Sequence, residues 1–178
     1  MRTTDRLLLR PFQDSDLEPW AALNTDPEVV RYLGGEPLSR AQSDRIAEQV
    51  NAQYAAEGIG FLAVERQSDG AFVGACGLTF EQWYPEELQI GWRLARAYWG
   101  HGYATEAAAA WLDHAFTDVG RDRVLSVTDT PNVRSIAVMR RLGMTFDHTA
   151  VLAEDGVEFD ATVYSITADA WRTANRIN

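Results

Sequence analysis

Two glycines, Gly100 and Gly102, lie between a predicted strand and a predicted helix. Their spacing is the feature of the sequence that points most directly to a chemical function. A helix that begins at Tyr103 leaves several backbone N–H groups unpaired in its first turn, where the helix dipole is positive. Glycine also lets a ligand approach the backbone closely. The spacing therefore favours a bound phosphate or pyrophosphate, although a lone Gly-x-Gly is more often an ordinary strand-to-helix turn.

The same segment does not match a dinucleotide-binding fingerprint. That fingerprint needs a third glycine, whereas this chain continues with Ala104 and Thr105. Residues 95–99 also separate the predicted strand from the two glycines. A nicotinamide or flavin dinucleotide is therefore disfavoured as the ligand.

The charged residues exclude several classes of enzyme. The chain has 178 residues with a net charge of -10, from 26 acidic and 16 basic residues, and every basic residue is arginine. Without lysine, the protein cannot be a Schiff-base enzyme, a P-loop nucleotidase or a protein kinase. The acidic excess also argues against non-specific nucleic-acid binding, and it leaves room for a cationic substrate such as an amine.

The elements that must position the glycines follow one another without a linker, a repeat or a low-complexity tract. Apolar runs between glycines and prolines predict strands at 7–10, 61–65, 72–80, 87–94, 124–128, 146–152 and 157–166. Capping residues and helical spacing predict helices at 16–24, from 27, from Ser39 to the end signal at Gly58 and Gly60, at 103–116 and 132–142, and around Trp171. This order predicts a mixed α/β fold, with a mostly antiparallel sheet and helices on both faces.

The remaining composition is that of an ordinary globular domain. The length fits one domain over residues 1–178, and a hydrophobic content of 46% can fill its core. The single Cys76 can form neither an internal disulfide nor a cysteine zinc cluster. No apolar run has the length of a membrane helix, and residues 1–5 lack the apolar core of a signal peptide. We therefore expect a cytoplasmic protein with no membrane partner.

Three spaced motifs resemble the GNAT acetyltransferase superfamily: Ile90–Leu94, Tyr98–Ala107 and Asn132–Met144. Within it the chain is most similar to the RimJ/RimL-type branch, the N-terminal acetyltransferases of ribosomal proteins and their relatives. Thr4–Phe12 and Asp26–Val29 are typical of that branch, and the similarity runs from about residue 6 to residue 171. The resemblance implies a GNAT fold, with six or seven mostly antiparallel strands and one splayed parallel pair.

The resemblance also implies acetyl-coenzyme A as co-substrate and no metal. The cofactor would lie in a V-shaped opening between strands 87–94 and 124–128. Its pantetheine arm would pair with the backbone of Trp92, Arg93 and Leu94, and Asn132 would hold the pantetheine amides as well as cap its helix. The pyrophosphate would lie on backbone N–H groups of Trp99, Gly100, His101, Gly102, Tyr103, Ala104 and Thr105.

The catalytic groups implied by the resemblance depart from the common pattern. Many relatives have a tyrosine where this chain has Met139, so Ser135 is the natural replacement beside the thiolate; the alternative is that it only bonds its own helix. Relatives often have a glutamate base where this chain has Gln89. Glu87, two residues earlier on the same sheet face, could act as the base directly or through water, or could be only a solvated charge.

Further acids and aromatic residues precede the central strand. Glu81 and Glu86 are weaker candidates for the base, and Trp83 and Tyr84, with Glu87 and Gln89, would line the acceptor pocket. None of the three histidines has metal-ligand spacing or an acidic partner in the sequence, so we expect His101 to be exposed and His148 to be structural.

These features predict an N-acetyltransferase in which a primary amine attacks acetyl-coenzyme A directly in a ternary complex. The acceptor would be a peptide or protein N-terminus or a small-molecule amine, and a homodimer is expected from relatives. The alternative, which Gln89 and Met139 favour, is an acyl-coenzyme A sensor or an inactive GNAT-like protein.

Overall fold

The computed structural model describes residues 1–34, 36–154 and 156–175. Its strands are β1 (Arg2–Thr3), β2 (Leu7–Arg10), β3 (Phe61–Arg66), β4 (Ala71–Phe80), β5 (Leu88–Leu94), β6 (Arg123–Asp129), β7 (Thr145–Glu154) and β8 (Val157–Thr167). Its helices are α1 (Leu17–Thr25), α2 (Pro27–Val30), α3 (Arg40–Glu57), α4 (Tyr103–Thr117), α5 (Val133–Arg141) and α6 (Ala168–Asn175). Short 3₁₀ turns lie at Asp14–Asp16 and Arg96–Tyr98.

The sheet has eight strands in the order β1-β2-β3-β4-β5-β6-β8-β7 over the described residues. The β5–β6 pair is parallel, through Gln89 and Leu125, and the β1–β2, β2–β3, β3–β4, β6–β8 and β7–β8 pairs are antiparallel. The mixed α/β fold is therefore as predicted, but the expected six or seven strands were too few. The additional strand is β1, in which Arg2 and Thr3 pair with Leu9 and Leu8.

Local capping explains why α3 begins and ends where the sequence predicts. The Ser39 side chain accepts a hydrogen bond from Gln42 N, and the Gln42 side chain accepts one from Ser39 N, so the two residues form a capping box. Gly58 ends the helix with a left-handed backbone at φ +71°.

The chain divides into two compact units that alternate along the sequence. The first comprises residues 1–77 and 92–110, and the second comprises residues 78–91 and 111–178. The core of the first unit is a buried cluster of Phe12, Trp20, Leu23, Val29, Ala47, Ala63 and Ala75. In the second unit the fully buried side chains include those of Trp111, Leu112, Val124, Met139 and Val163.

Gly74 lets β4 approach the end of β5 within the first unit. Its φ is +151°, and a Cβ at this position would lie 2.3 Å from Arg93 O, a separation that a side chain cannot adopt without moving the backbone. Next to it, Ala95 N donates a hydrogen bond to Val73 O at 2.9 Å. The backbone of residues 92–95 is therefore fixed against β4.

The described helices include none that is both long enough and apolar enough to cross a membrane. Among the same residues, no group of three or more histidine, cysteine, aspartate or glutamate side chains is placed to hold a metal ion.

Candidate functional site

The glycine segment joins the 3₁₀ turn at Arg96–Tyr98 to the start of α4 in the first unit. Gly100 and Gly102 both have φ +80°, which favours glycine. The bond from Glu106 N to Gly102 O at 3.0 Å is the first of the helical ladder. The N–H groups of Tyr103, Ala104 and Thr105 therefore have no partner inside the helix, and they present a positive end to a ligand.

Two further observations fit an anion at this segment. A Cβ built on Gly100 would meet no atom within 4 Å, so the backbone is open to approach. The hydroxyl of Thr105 is buried and has no hydrogen-bond partner. Buried hydroxyls normally have partners, so this one is free for a ligand or a water molecule.

The uncharged side chain of Trp99 anchors the glycine segment. Its indole Nε1 donates to Leu94 O at 2.8 Å, and its ring packs against the buried cluster of the first unit. The chain between the end of β5 and the first glycine is thus fixed at both ends.

Glu106, in the first turn of α4, forms an ion pair with Arg6 that sequence reasoning did not assign. Its carboxylate accepts hydrogen bonds from Thr4 Oγ1 at 2.6 Å, from Arg6 N at 2.9 Å and from Arg6 Nε at 2.6 Å. The Arg6 guanidinium also donates to His101 O at 3.1 Å and lies over the Tyr103 ring. We call these contacts of Thr4, Arg6 and Glu106 the Arg6 clamp, which holds the glycine segment from one side.

Arg6 and Glu106 both lie in motifs that carry the family resemblance. Their place in those motifs was the only signal in the sequence for this ion pair. Burial alone would raise the pKa of Glu106, but the hydrogen bonds from Thr4 and Arg6 outweigh it and hold that pKa below its usual value. His101 is exposed, as expected, and stacks on Tyr103 with ring centroids 5.6 Å apart.

The end of β5 is held by the Arg93 side chain. Its guanidinium donates to Asn24 Oδ1 at 2.8 Å and lies over the Trp20 ring. Trp92 is half-buried and Leu94 is buried. The Arg93 side chain thus anchors α1, and a role in binding a ligand would fall to the backbone.

In the second unit, β5 and β6 separate soon after they pair. Gln89 and Leu125 form their ladder position. One residue further, Ser126 Oγ donates to Ile90 O at 3.0 Å, so a side chain replaces a backbone donor. This geometry agrees with the predicted splayed parallel pair.

Asn132 caps α5, as predicted, and both ends of its amide are used. Its Oδ1 accepts from Ser135 N at 3.2 Å, and its Nδ2 donates to Thr128 Oγ1 at 3.0 Å. Ser135 is half-buried, and its hydroxyl makes no hydrogen bond within the part of the chain that the structure describes. Met139 is completely buried.

The predicted base and acceptor residues also lie in the second unit. The Glu87 carboxylate is 37% exposed and lies 3.5 Å from Arg123, so it is partly neutralised. Gln89 is only 3% exposed, and its Nε2 has no hydrogen-bond partner. The Trp83 indole donates to Ala153 O at 2.7 Å.

The expectation that the histidines lack acidic partners is wrong for two of them. His114 Nδ1 lies 2.7 Å from Asp118 Oδ2, one helical turn later. His148 Nδ1 lies 2.7 Å from the carboxylate of the preceding Asp147, and its Nε2 lies 2.8 Å from Tyr84 Oη. The spacings in the sequence were a usable signal for both carboxylates, but nothing in it indicated Tyr84.

A family model described as an acetyltransferase (GNAT) domain matches residues 6–145 of the chain. An uncharacterized Bacillus subtilis protein, YkkB, is 33% identical over 151 residues, which are 82% of this chain and 86% of that protein. The FsC-acetyl coenzyme A-N(2)-transacetylase of Aspergillus fumigatus is 30% identical over 181 residues, covering 94% of this chain and 76% of its own.

Solved structures give the same result for the fold. The crystal structure of an acetyltransferase from Agrobacterium tumefaciens is 28% identical, with a TM-score of 0.77. The superposition covers 93% of this chain and 92% of that chain.

The Arg6 clamp predicts a pH-dependent loss of stability in Glu106→Gln. Because the pKa of Glu106 is lowered on folding, its contribution is present at neutral pH and is lost as the pH falls through the lowered value. We expect the free energy of unfolding of the variant to be about 1–3 kcal/mol lower than that of the wild-type chain at pH 7, and we expect this deficit to shrink in acid. Urea unfolding at a series of pH values measures both.

Glu48→Gln makes the same chemical change at an exposed position of α3 and serves as the control. Equal effects of the two substitutions at pH 7, or a deficit that does not shrink in acid, would contradict a stabilising role of the Glu106 charge.

Proposed function

The chain belongs to the GNAT acetyltransferase family and is an acyltransferase, and from this premise we propose that it transfers an acetyl group from acetyl-coenzyme A to a primary amine. The observation that carries the proposal is the glycine segment, whose unpaired N–H groups suit a pyrophosphate. A bound acetyl-coenzyme A supplies an acetyl thioester that an amine can attack.

In this proposal the residues of the glycine segment hold the pyrophosphate. Trp99 N already donates to Arg96 O at 3.1 Å, so of the predicted residues Trp99 to Thr105 the backbone donors are those from Gly100 onward. The Thr105 hydroxyl supplies one more polar group. The backbone of Trp92, Arg93 and Leu94 would pair with the pantetheine arm, and Asn132 would contact its amides. Since the chain has no lysine, backbone dipoles and arginine must meet all the phosphate charge.

We treat residues 1–178 as one functional domain. Domain boundaries normally fall in exposed linkers, whereas the boundaries between the two units fall inside β4, β5 and α4. A cytoplasmic location and a homodimer stay predictions; size-exclusion chromatography with light scattering tests the second.

A cationic acceptor is favoured by carboxylates in the second unit. Burial raises the pKa of Glu81 and that of Asp129, and the charge of Glu154 raises both further. A carboxylate whose charge raises the pKa of two others lies close to both, and such a group produces a negative potential. Trp83 and Tyr84, from the same segment as Glu81, would line the pocket. A peptide N-terminus, as in the RimJ/RimL-type branch, is one such acceptor.

The leaving thiolate would receive its proton from Ser135, because Met139 cannot donate one. The hydroxyl of Ser135 is not committed to another bond in the described residues, which supports this role. Glu87, near Arg123, stays a predicted base that acts directly or through water.

The proposed function predicts steady release of coenzyme A when acetyl-coenzyme A is mixed with an accepted amine. A thiol-detecting assay over polyamines, amino-acid amides and short peptides with free N-termini measures the release. N-acetylated versions of the same peptides are the control, because they have no free amine to react. Tight binding of acetyl-coenzyme A without turnover over the panel would instead favour the sensor or inactive protein.

Gly102→Ala should weaken the recognition of the pyrophosphate. Alanine at φ +80° is strained, and its Cβ would lie 3.5 Å from the Arg6 guanidinium. Loss of one charge-assisted hydrogen bond costs about 1.5–3 kcal/mol, so the KM for acetyl-coenzyme A should rise about tenfold or more. The KM for acetyl-pantetheine, which lacks the pyrophosphate, should not change.

Gly120→Ala is the matched control, since Gly120 has φ +73° and no atom near its Cβ position. An equal rise in KM for acetyl-coenzyme A and acetyl-pantetheine, or an equal rise in KM in both variants, would contradict a role of the glycine segment in pyrophosphate binding.

Ser135→Ala should lower turnover more than the affinity for acetyl-coenzyme A. Loss of a positioned proton donor typically costs about a hundredfold or more. Ser135→Thr keeps the hydroxyl and should retain most of the activity. Steady-state kinetics with the accepted amine measures kcat and KM, and an unchanged kcat in Ser135→Ala would remove Ser135 from the mechanism.

A further inference from the structure

We propose that Tyr84, His148 and Asp147 form a proton relay that removes the proton from the acceptor amine. The proposal rests on the proposed function, and it supplies the base that Gln89 cannot provide. All three residues belong to the second unit, and they come from the segment before β5 and from the start of β7.

The three side chains form one continuous chain of hydrogen bonds. Tyr84 Oη lies 2.8 Å from His148 Nε2, and the two rings meet edge to face with centroids 5.8 Å apart. On the far side of the ring, His148 Nδ1 lies 2.7 Å from Asp147 Oδ2. A phenol, an imidazole and a carboxylate are thereby connected in line, which is the arrangement of a catalytic base held by a third group.

Asp147 is fixed by two further donors. Arg123 forms an ion pair with Asp147 Oδ1, and Ser165 Oγ lies 3.2 Å from the same oxygen. The hydrogen bond with His148 lowers the pKa of Asp147, and the positive charge of Arg123 lowers it further. The carboxylate is therefore ionised at neutral pH and can stabilise an imidazolium beside it.

The charge on Asp147 decides the protonation of the ring. A carboxylate only accepts hydrogen bonds, so the proton of the neutral imidazole lies on Nδ1 and Nε2 is left as an acceptor. The Tyr84 hydroxyl then donates to Nε2, which leaves its oxygen lone pairs for an incoming N–H. His148 is the proton acceptor of the relay, and Asp147 is its positioning residue.

Tyr84 passes the proton on and does not keep a charge. Burial raises the pKa of its phenol, and the negative charge of Asp147 raises it further. The hydroxyl therefore stays protonated at neutral pH. A proton can reach the Tyr84 oxygen only as the phenol proton moves to His148 Nε2.

The strand register places the relay on the same sheet face as the predicted acceptor residues. His148 pairs with Val163, and Val163 pairs with Val127 of β6. Leu125, two residues from Val127, pairs with Gln89. Paired residues and residues two apart share a face, so His148 and Gln89 lie on the same one.

Gln89 gives that face a second feature that points to a ligand. Its side chain is buried, and its Nε2 has no hydrogen-bond partner. An unpaired buried amide is costly, and an acceptor group or a water molecule between Gln89 and Tyr84 would satisfy it.

The proton transfer balances as follows. The ammonium N–H bond breaks as the Tyr84 O–H bond re-forms, and the former phenol proton forms an N–H bond at His148 Nε2. The freed amine lone pair then forms the N–C bond to the acetyl group while the C–S bond of the thioester breaks. The nitrogen loses its second proton as the amide forms, and this proton passes through the Ser135 hydroxyl to the leaving thiolate. His148 returns its proton to solvent through its exposed edge, since its side chain is 42% exposed.

The charged neighbours of His148 come from each element that packs against it. Tyr84 faces it from the segment before β5, and Asp147 faces it from β7. One bond further, Arg123 of β6 contacts both Asp147 and Glu87. Substitution of any of these groups is therefore expected to move the pH dependence.

The test compares Tyr84→Phe, His148→Gln and Asp147→Asn with the wild-type chain, using an amine that the coenzyme A release assay has identified. General base catalysis contributes about 10²–10⁴-fold, so we expect kcat to fall at least about a hundredfold in His148→Gln and Tyr84→Phe. The KM for acetyl-coenzyme A should stay within about twofold. His148→Gln should also lose the acid limb that an imidazole gives to the pH profile of kcat/KM.

His114→Gln is the matched control, because it breaks a second histidine–aspartate pair among the described residues, with Asp118. It should keep wild-type kcat and the wild-type pH profile. Glu87→Gln compares the relay with the other candidate base. If Glu87→Gln removes the acid limb and His148→Gln does not, Glu87 is the base and the relay is overturned.

The remaining outcomes separate the relay from the proposed function. No turnover by the wild-type chain with any amine would contradict the function itself. Turnover that survives in His148→Gln and Tyr84→Phe would overturn the relay alone. A loss in His148→Gln that is equal at every pH, with the acid limb retained, would show a merely structural His148 and would also overturn it.

Discussion

The ion pair between Arg6 and Glu106 constrains the glycine segment from which the rest of the proposed donor site follows. It joins two residues that lie 100 positions apart in the chain, and the same guanidinium holds His101 O between the glycines. On the other side, the Trp99 indole is bonded to Leu94 O. A segment held at both ends needs little ordering when an anion binds, so less free energy of binding is lost to conformational entropy.

The absence of lysine gives this constraint its importance. Several arginines are committed to carboxylates: Arg10 to Asp16 and Glu65, Arg40 to Glu18 and Asp44, and Arg66 to Asp69. The backbone N–H groups at the start of α4 carry no such commitment to a side chain or to the helix. In the proposed donor site a rigid backbone cradle would therefore take the place that a flexible lysine fills in other phosphate-binding proteins.

The sequence predicted what local rules control. Ser39, Gly58 and Asn132 cap helices as expected, because their roles depend on residues within a few positions. It missed β1, which has two residues and shows no periodicity, and it missed Tyr84 as the partner of His148, 64 residues away. The register shift between Phe146 and His148 also had no signal in the sequence. Because Asp147 lies in this shift, its position beside Ser165 and Arg123 could not be predicted.

Acidic side chains in the proposed acceptor site make a base more necessary, and this connects the net charge of the chain to the proposed proton relay. Carboxylates such as Glu81 and Asp129 would attract an ammonium ion in the proposed site, but a negative neighbour also raises the pKa of that ammonium. A cationic acceptor therefore arrives in the form that cannot attack a thioester. Glutamine at position 89 cannot take its proton, and Glu87 is partly neutralised by Arg123. The hydrogen bond with His148 and, after it, the charge of Arg123 lower the pKa of Asp147, so the arginine that pairs with Glu87 also helps to keep Asp147 ionised beside His148.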